Sequence, residues 1–193
     1  MAANKKDIIR QAAIEVIVDS GFHAATTDAI AARAEVSVGT IYNYFRNKEA
    51  ILEHIFQVEL GRRIDYLSSL PEDLPVLEKL ELFLQWHFGI IAQDPATGRI
   101  LLRERSNLIN LPAIREYMDT MTGYLTSLVE EGMRKGQFRQ SNAALTGAIM
   151  FGALEAAVRQ SIMAWEKTNR PLDLITQEAA QELFLFFSRS LLE

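Results

Sequence analysis

The feature that most limits what this chain can fold into is the return of apolar residues every three or four positions, almost from end to end. A strand would show alternation of period two, whereas repeats at i, i+3, i+4 and i+7 line one face of a helix. Ile8, Ile9, Ala12, Ala13, Val16 and Ile17 form the first stripe and Gly21 ends it, glycine being the residue that most easily closes a helix. Thr26 or Thr27 is placed to cap a short alanine-rich helix, with Asp28 in its first turn, where the helix dipole favours an anion. Ser37 is the expected cap of a third helix over residues 38–44, and Asn47 of a fourth running through Ile51, Leu52, Ile55 and Phe56. Longer helices follow at about 76–92, 97–109, 112–135, 142–167 and 174–192, set apart by Leu70-Pro71, Leu74-Pro75, Asp94-Pro95, Leu111-Pro112 and Arg170-Pro171. The expectation is an all-α protein of about nine helices.

Composition removes several classes of function. The chain has 193 residues, enough for a sizeable core, and its 49% apolar and 23% charged content is that of a folded domain. It has no cysteine, so disulfides, thiolate metal sites and cysteine nucleophiles are all absent. The longest nearly charge-free stretch, Ala143 to Leu154, is too short to cross a bilayer, and MAANKKDIIRQ lacks the apolar core of a signal peptide. These features predict a soluble, cytoplasmic protein with no membrane partner. No Gly-rich phosphate loop, G-x-S-x-G or H-E-x-x-H occurs, and His23, His54 and His87 fall on three separate segments. No catalytic residue, cofactor or metal site is expected.

The net charge of −5 argues at first sight against nucleic acid. Within residues 1–50, however, Lys5, Lys6, Arg10, Arg33, Arg46 and Lys48 balance Asp7, Glu15, Asp19, Asp28, Glu35 and Glu49, so the deficit lies wholly beyond residue 50. A neutral unit still binds phosphates when its basic groups and helix N-termini share a face. Three short helices, the last two joined by a tight turn at Glu35-Val36-Ser37, describe a helix-turn-helix unit. Val38, Ile41 and Phe45 would face its core, leaving Gly39, Thr40, Tyr42, Asn43 and Tyr44 outside or at the rim. So short a helix cannot bury Ile41, Tyr42, Tyr44 and Phe45 on one face. Asparagine pairs with adenine in the major groove, threonine and tyrosine hydroxyls reach phosphates, and Gly39 lets the backbone approach.

Thr26-Thr27-Asp28-Ala29-Ile30-Ala31, then Val36 to Phe45 (VSVGTIYNYF), then Asn47-Lys48-Glu49, resembles the signature of TetR-family transcriptional regulators. The resemblance covers about residues 5–55 and extends to the length and helical plan of the remainder. It implies a helix-turn-helix DNA-binding domain over 1–50 and a ligand-binding and dimerisation domain over 51–193. It also implies a homodimer on a palindromic operator in double-stranded DNA, usually a repressor, released by a small molecule. By position in the motif, Thr27 would meet phosphate, Ser37, Gly39, Thr40, Tyr42, Asn43 and Tyr44 would line the recognition helix, and Lys48 would grip the DNA backbone.

In the second half, Ala144, Ala148, Gly152 and Ala156 form a ridge of small residues at i, i+4 spacing, suited to a close helix crossing within one subunit or between two. Leu183 to Phe187 are five consecutive large apolar residues, which a partner subunit would help to cover. The interface is therefore expected at Ala148, Gly152, Glu155, Arg159, Phe184, Phe187 and Leu191. Phe83, Trp86, His87, Ile90, Tyr124, Leu128, Phe151 and Leu154 are bulky residues with few polar anchors, suited either to core or to a pocket for a small apolar effector. Arg105, in a cluster with Arg99 and Arg103, is a candidate for a ligand's phosphate or carboxylate. The stretch HFGIIAQDPATGRILLRERSNL resembles the acyl-CoA-responsive, fatty-acid-degradation branch of the family. The competing effectors are lipophilic drugs or cations, as for a regulator of an efflux system. A dimeric helical binding protein without regulatory function would explain the second half but not the GTIYNY face.

Overall fold

A computed structural model describes the backbone of residues 4–107 and 110–192, with side chains described for all of these except 105–107. Nine helices and no strand occur among the described residues: α1 (Lys5–Ser20), α2 (Thr27–Arg33), α3 (Val38–Tyr44), α4 (Lys48–Ser69), α5 (Val76–Gln93), α6 (Pro95–Asn107), α7 (Pro112–Arg134), α8 (Ala143–Lys167) and α9 (Leu172–Leu192). No helix of the described residues is long and apolar enough to cross a membrane.

Capping sets the helix starts. Thr26 Oγ1 accepts from the Ala29 amide at 3.1 Å, Ser37 Oγ from Thr40 at 3.1 Å, Asn47 Oδ1 from Ala50 at 2.8 Å and Asn142 Oδ1 from Leu145 at 3.0 Å. Each satisfies an amide that has no partner inside its own helix. Gly21 closes α1 at φ 80°, its amide donating to Ile17 O at 2.8 Å. Between α2 and α3 the turn passes through Glu35 at φ 54°, the one non-glycine residue in the left-handed region among those described.

Two compact units divide the chain, Met1–Arg62 with Ala96–Tyr117, and Arg63–Pro95 with Met118–Glu193. In the first, α1, α2 and α3 pack in sequence around Ile9, Ile14, Ile17, Ile30 and Ile41, and α4 adds Ile51, Leu52, Ile55 and Phe56. Phe56 meets Tyr117 edge to face at 5.8 Å. In the second, α9 lies along both α5 and α8. Helix α8 crosses α7 at Gly147, where a Cβ would stand 2.3 Å from Thr126 Oγ1 and 2.8 Å from its backbone nitrogen. Beyond α7, Arg139 holds the end of α9, its amide donating to Leu191 O at 2.9 Å and its Nε to Ser190 O at 2.8 Å.

Candidate functional site

Helix α3 is two-faced as its sequence predicts. Ile41 and the following Phe45 are buried, whereas Gly39, Asn43, Tyr42 (54% exposed) and Tyr44 (42%) stand in solvent. Val38 is half-buried, so the inward face is narrower than the expected triad. Ser37 is exposed and Thr40 half-buried, and their hydroxyls lie 2.9 Å apart. Thr27 opens α2 as its first residue. Behind α3, Phe45 packs on His54 with ring centroids 5.5 Å apart, and Lys6 Nζ lies 5.5 Å from the Phe45 centroid. His54 is held below the ordinary imidazole pKa by burial first and by the charges of Lys6 and Arg10 next, so it stays neutral near pH 7.

Lys48 is not placed as expected. Its Nζ donates to Phe22 O at 2.7 Å, Ala25 O at 2.8 Å and His23 O at 3.1 Å, and stands 4.6 Å from the Phe22 ring centroid. An ammonium has three N–H bonds, and here all three point at carbonyls of the α1–α2 turn. In this structure Lys48 therefore stands inside the unit's own framework, its ammonium held at the α1–α2 turn.

In the second unit, α5 and α7 bring together three of the residues expected at a ligand. Phe83 lies 5.6 Å from His87 and 5.2 Å from Tyr124, centroid to centroid. His87 Nδ1 and Tyr124 Oη are both buried without a hydrogen-bond partner among the described residues. Burial, and secondarily the charge of Arg63, pushes the His87 pKa well below its usual value. Burial raises that of the Tyr124 phenol. Both side chains are thus neutral near pH 7, a phenol donor and an imidazole lined up beside an apolar ring.

Leu128, Phe151 and Leu154 are buried in the same unit. Trp86 stacks instead on Tyr66, ring planes 5° apart at 4.3 Å, and Ile90 is half-exposed. The side chain of Arg105 lies outside the described residues. Arg63, Tyr66 and the buried environment they make around α5 were missed in the sequence, because both sit on an amphipathic helix where a polar residue reads as solvent-facing. An open cleft of about 650 Å³ runs between α5 and α9, floored by Phe88, Gly89 and Ala180 and edged by Glu81 and Asp173. None of the expected ligand residues lines it, and Phe184, expected at a subunit interface, does.

The outer surface of α8 and α9 is the third feature. The small ridge is exposed at Ala144, Ala148, Gly152 and Ala156, and a Cβ on Gly152 would meet nothing within 4 Å, so the ridge packs on nothing inside the subunit. Beside it stand Leu145 (59% exposed) and Ile149 (57%), and on α9 Leu185, Phe186 (59%) and Leu192 are exposed. Arg159 is exposed and Glu155 half-buried. Two expected interface residues need correction. Phe187 (2% exposed) and Leu191 are core, on the inward stripe Leu172, Ile175, Thr176, Ala180, Leu183, Phe187 and Leu191. Within the run 183–187 the helical period gives Leu183 and Phe187 to the core and turns Leu185 and Phe186 outward.

A short two-faced helix closing a helix-turn-helix unit, joined in one chain to a helical unit with its own core, is the plan of a helix-turn-helix transcriptional regulator. Residues 9–55 match the family described as bacterial regulatory proteins, tetR family, and residues 73–159 match the tetracyclin repressor-like C-terminal domain. The chain belongs to the TetR family of transcriptional regulators. It is 30% identical over 171 residues to the fatty acid metabolism regulator protein of Bacillus subtilis, covering 86% of each chain. Its fold matches that of the fatty acid degradation regulator FadR from Bacillus halodurans, with a TM-score of 0.81, 32% identity and coverage of 95% and 96% of the two chains. It also matches FadR from Bacillus subtilis, solved in complex with stearoyl-CoA, with a TM-score of 0.81, 29% identity and coverage of 92% and 97%.

Proposed function

We propose that the protein is a homodimeric repressor that binds a palindromic operator in double-stranded DNA and releases it when a long-chain acyl-CoA occupies its second unit. The observation that carries the DNA half is the exposed Tyr42, Asn43 and Tyr44 above the buried Ile41 and Phe45. Asn43 is the base-reading residue, by a bidentate pair with adenine. Tyr42, Tyr44, Thr40, Ser37 and Thr27 supply hydroxyls for phosphates, and Gly39 keeps the helix start clear of side chain. Residues 1–50 act as the DNA-binding domain and 51–193 as the effector and dimerisation domain. Dimerisation uses the α8–α9 surface, with Ala148 and Gly152 at the close crossing, Leu145, Ile149, Leu185 and Phe186 around it, and Glu155 and Arg159 at the rim. A two-fold axis there presents two α3 helices to half-sites about one helical turn apart.

The effector class is supported by likeness to a regulator solved with stearoyl-CoA and by the unpartnered Tyr124 Oη and His87 Nδ1 beside Phe83. A neutral donor in apolar surroundings suits an uncharged carbonyl such as a thioester better than a carboxylate. The effector stabilises a conformer whose recognition helices no longer match the half-sites, and the operator is lost by population shift. The protein acts in the cytoplasm, by binding and without catalysis.

The test is selection of genomic fragments by the purified protein near physiological salt, followed by challenge with long-chain acyl-CoAs and, in parallel, lipophilic cations. A shared palindrome released by the acyl-CoA is expected. Release by the cation alone would transfer the protein to the drug-responsive class, and no enrichment at all would overturn the DNA reading.

A further inference from the structure

The recognition surface is assembled from two places in the chain, the start of α2 and the length of α3, and one partly buried contact joins them. Lys48 is the first residue of α4, and only Phe45, Arg46 and Asn47 separate it from the end of α3. Its ammonium holds Phe22 O, His23 O and Ala25 O at 2.7, 3.1 and 2.8 Å. Ala25 immediately precedes Thr26, whose hydroxyl caps α2, and Thr27, the first residue of that helix. The same ammonium rests on the face of Phe22 at 4.6 Å, a contact that adds attraction wherever the cation is partly desolvated. The buried side chains of Phe22 and Ala25 anchor the turn to the core, and Lys48 holds its backbone. Among the described residues one backbone bond, Ala25 N to Gly21 O at 3.0 Å, closes the turn, and the carbonyls that Lys48 takes are not paired to backbone amides.

We propose that Lys48 is a positioning residue rather than a phosphate ligand: it clamps the α1–α2 turn to the start of α4, and so sets the N-terminus of α2 in register with α3 for DNA. The inference rests on the DNA-binding reading above. Moving the ammonium to a phosphate requires breaking at least one of three short bonds and leaving a carbonyl without its partner. A phosphate contact and a clamp make different demands. A phosphate contact displaces counterions, so its loss lowers the slope of log affinity against log salt by about 0.9. A clamp has no counterion of its own to release.

The experiment compares wild type, Lys48→Met and Lys48→Arg on one operator fragment at several salt concentrations, well below each variant's melting temperature. It also follows amide hydrogen exchange in the free proteins over the α1–α2 turn and the first turn of α2. Expected are an operator affinity at least tenfold weaker for Lys48→Met, an unchanged salt slope, faster exchange at Ala25 to Ala29, and partial recovery of both by Lys48→Arg. A slope lowered by about one charge would return Lys48 to the phosphates and overturn the proposal. Faster exchange with undiminished affinity would also overturn it, leaving Lys48 merely a contributor to stability. Should wild type select no DNA, the DNA-binding reading falls, and exchange at Ala25 to Ala29 still decides the clamp: unchanged rates in Lys48→Met refute it.

Discussion

For the proposed α8–α9 dimer, truncating Phe186 is expected to separate dimerisation from folding. Its ring is 59% exposed in the subunit. A phenylalanine side chain carries roughly 150–250 Å², so about 120 Å² is open to a partner. At about 25 cal/mol per Å² that is roughly 3 kcal/mol, of which Phe186→Ala removes about 2 because a methyl remains. Two-fold symmetry places the substitution twice, for about 4 kcal/mol in the dimer. That corresponds to roughly a thousandfold rise in Kd. Ordering and imperfect complementarity consume part of any interface area, so about a hundredfold is the smallest effect the reasoning allows.

Phe187→Ala is the internal comparison. Phe187 is buried within the subunit, so its loss costs about 3–5 kcal/mol of folding stability. Sedimentation velocity from nanomolar to tens of micromolar reads Kd, and denaturant unfolding at saturating dimer reads stability. The reasoning is refuted if Phe186→Ala dimerises within threefold of wild type, or if Phe187→Ala dissociates the dimer while unfolding at an unchanged midpoint.

Asn43→Ala and Tyr42→Ala each lose roughly 1–3 kcal/mol of operator affinity, about fivefold to over a hundredfold, with the melting temperature unmoved because both side chains are exposed; retention of full affinity by both variants in a fluorescence titration would remove α3 as the reading element. His87 is protonated less readily folded than unfolded, so stability is complete above its unfolded pKa of about 6.5 and falls as pH drops below it, by up to about 1.4 kcal/mol per pH unit. His87→Phe flattens that acid limb, and unfolding midpoints from pH 7 to 5 that run parallel in the two proteins would contradict the assignment. At Glu35, held at φ 54°, glycine is neutral or stabilising whereas Glu35→Val costs more than about 1 kcal/mol, since a β-branched residue resists the left-handed region. Equal thermal stability of the two variants would show that the turn relaxes away from that conformation.

Much of this molecule was legible because its helices announce their own ends. Thr26, Ser37, Asn47 and Asn142 stand where a side-chain oxygen can take a first-turn amide, and all four do so. The two-faced α3 was legible for a related reason: seven residues cannot bury four large side chains, so the exposed tyrosines follow from geometry. What failed depended on partners distant in sequence. Lys48 follows a turn and reads as a free cation, and nothing local says that Phe22, His23 and Ala25 will present three carbonyls to it. In the run Leu183 to Phe187, composition concealed a phase that is set by the packing of α9 against α5 and α8. The ridge Ala144, Ala148, Gly152, Ala156 drew attention for its regularity, yet the close crossing inside the subunit is at Gly147, one residue out of that register. Arg63, fully buried on α4, defeats any reading that sorts residues by polarity alone.

As a repressor of the proposed kind, the protein would read an operator with α3 and surrender it to an acyl-CoA. The most direct measurement is the fluorescence anisotropy of a labelled operator fragment, held by the protein near physiological salt, during titration with stearoyl-CoA, with coenzyme A and free stearate run alongside. Loss of the bound signal is expected at a stoichiometric or modestly higher concentration of stearoyl-CoA, with coenzyme A and stearate far weaker. An operator that stays bound at saturating stearoyl-CoA would contradict that mechanism.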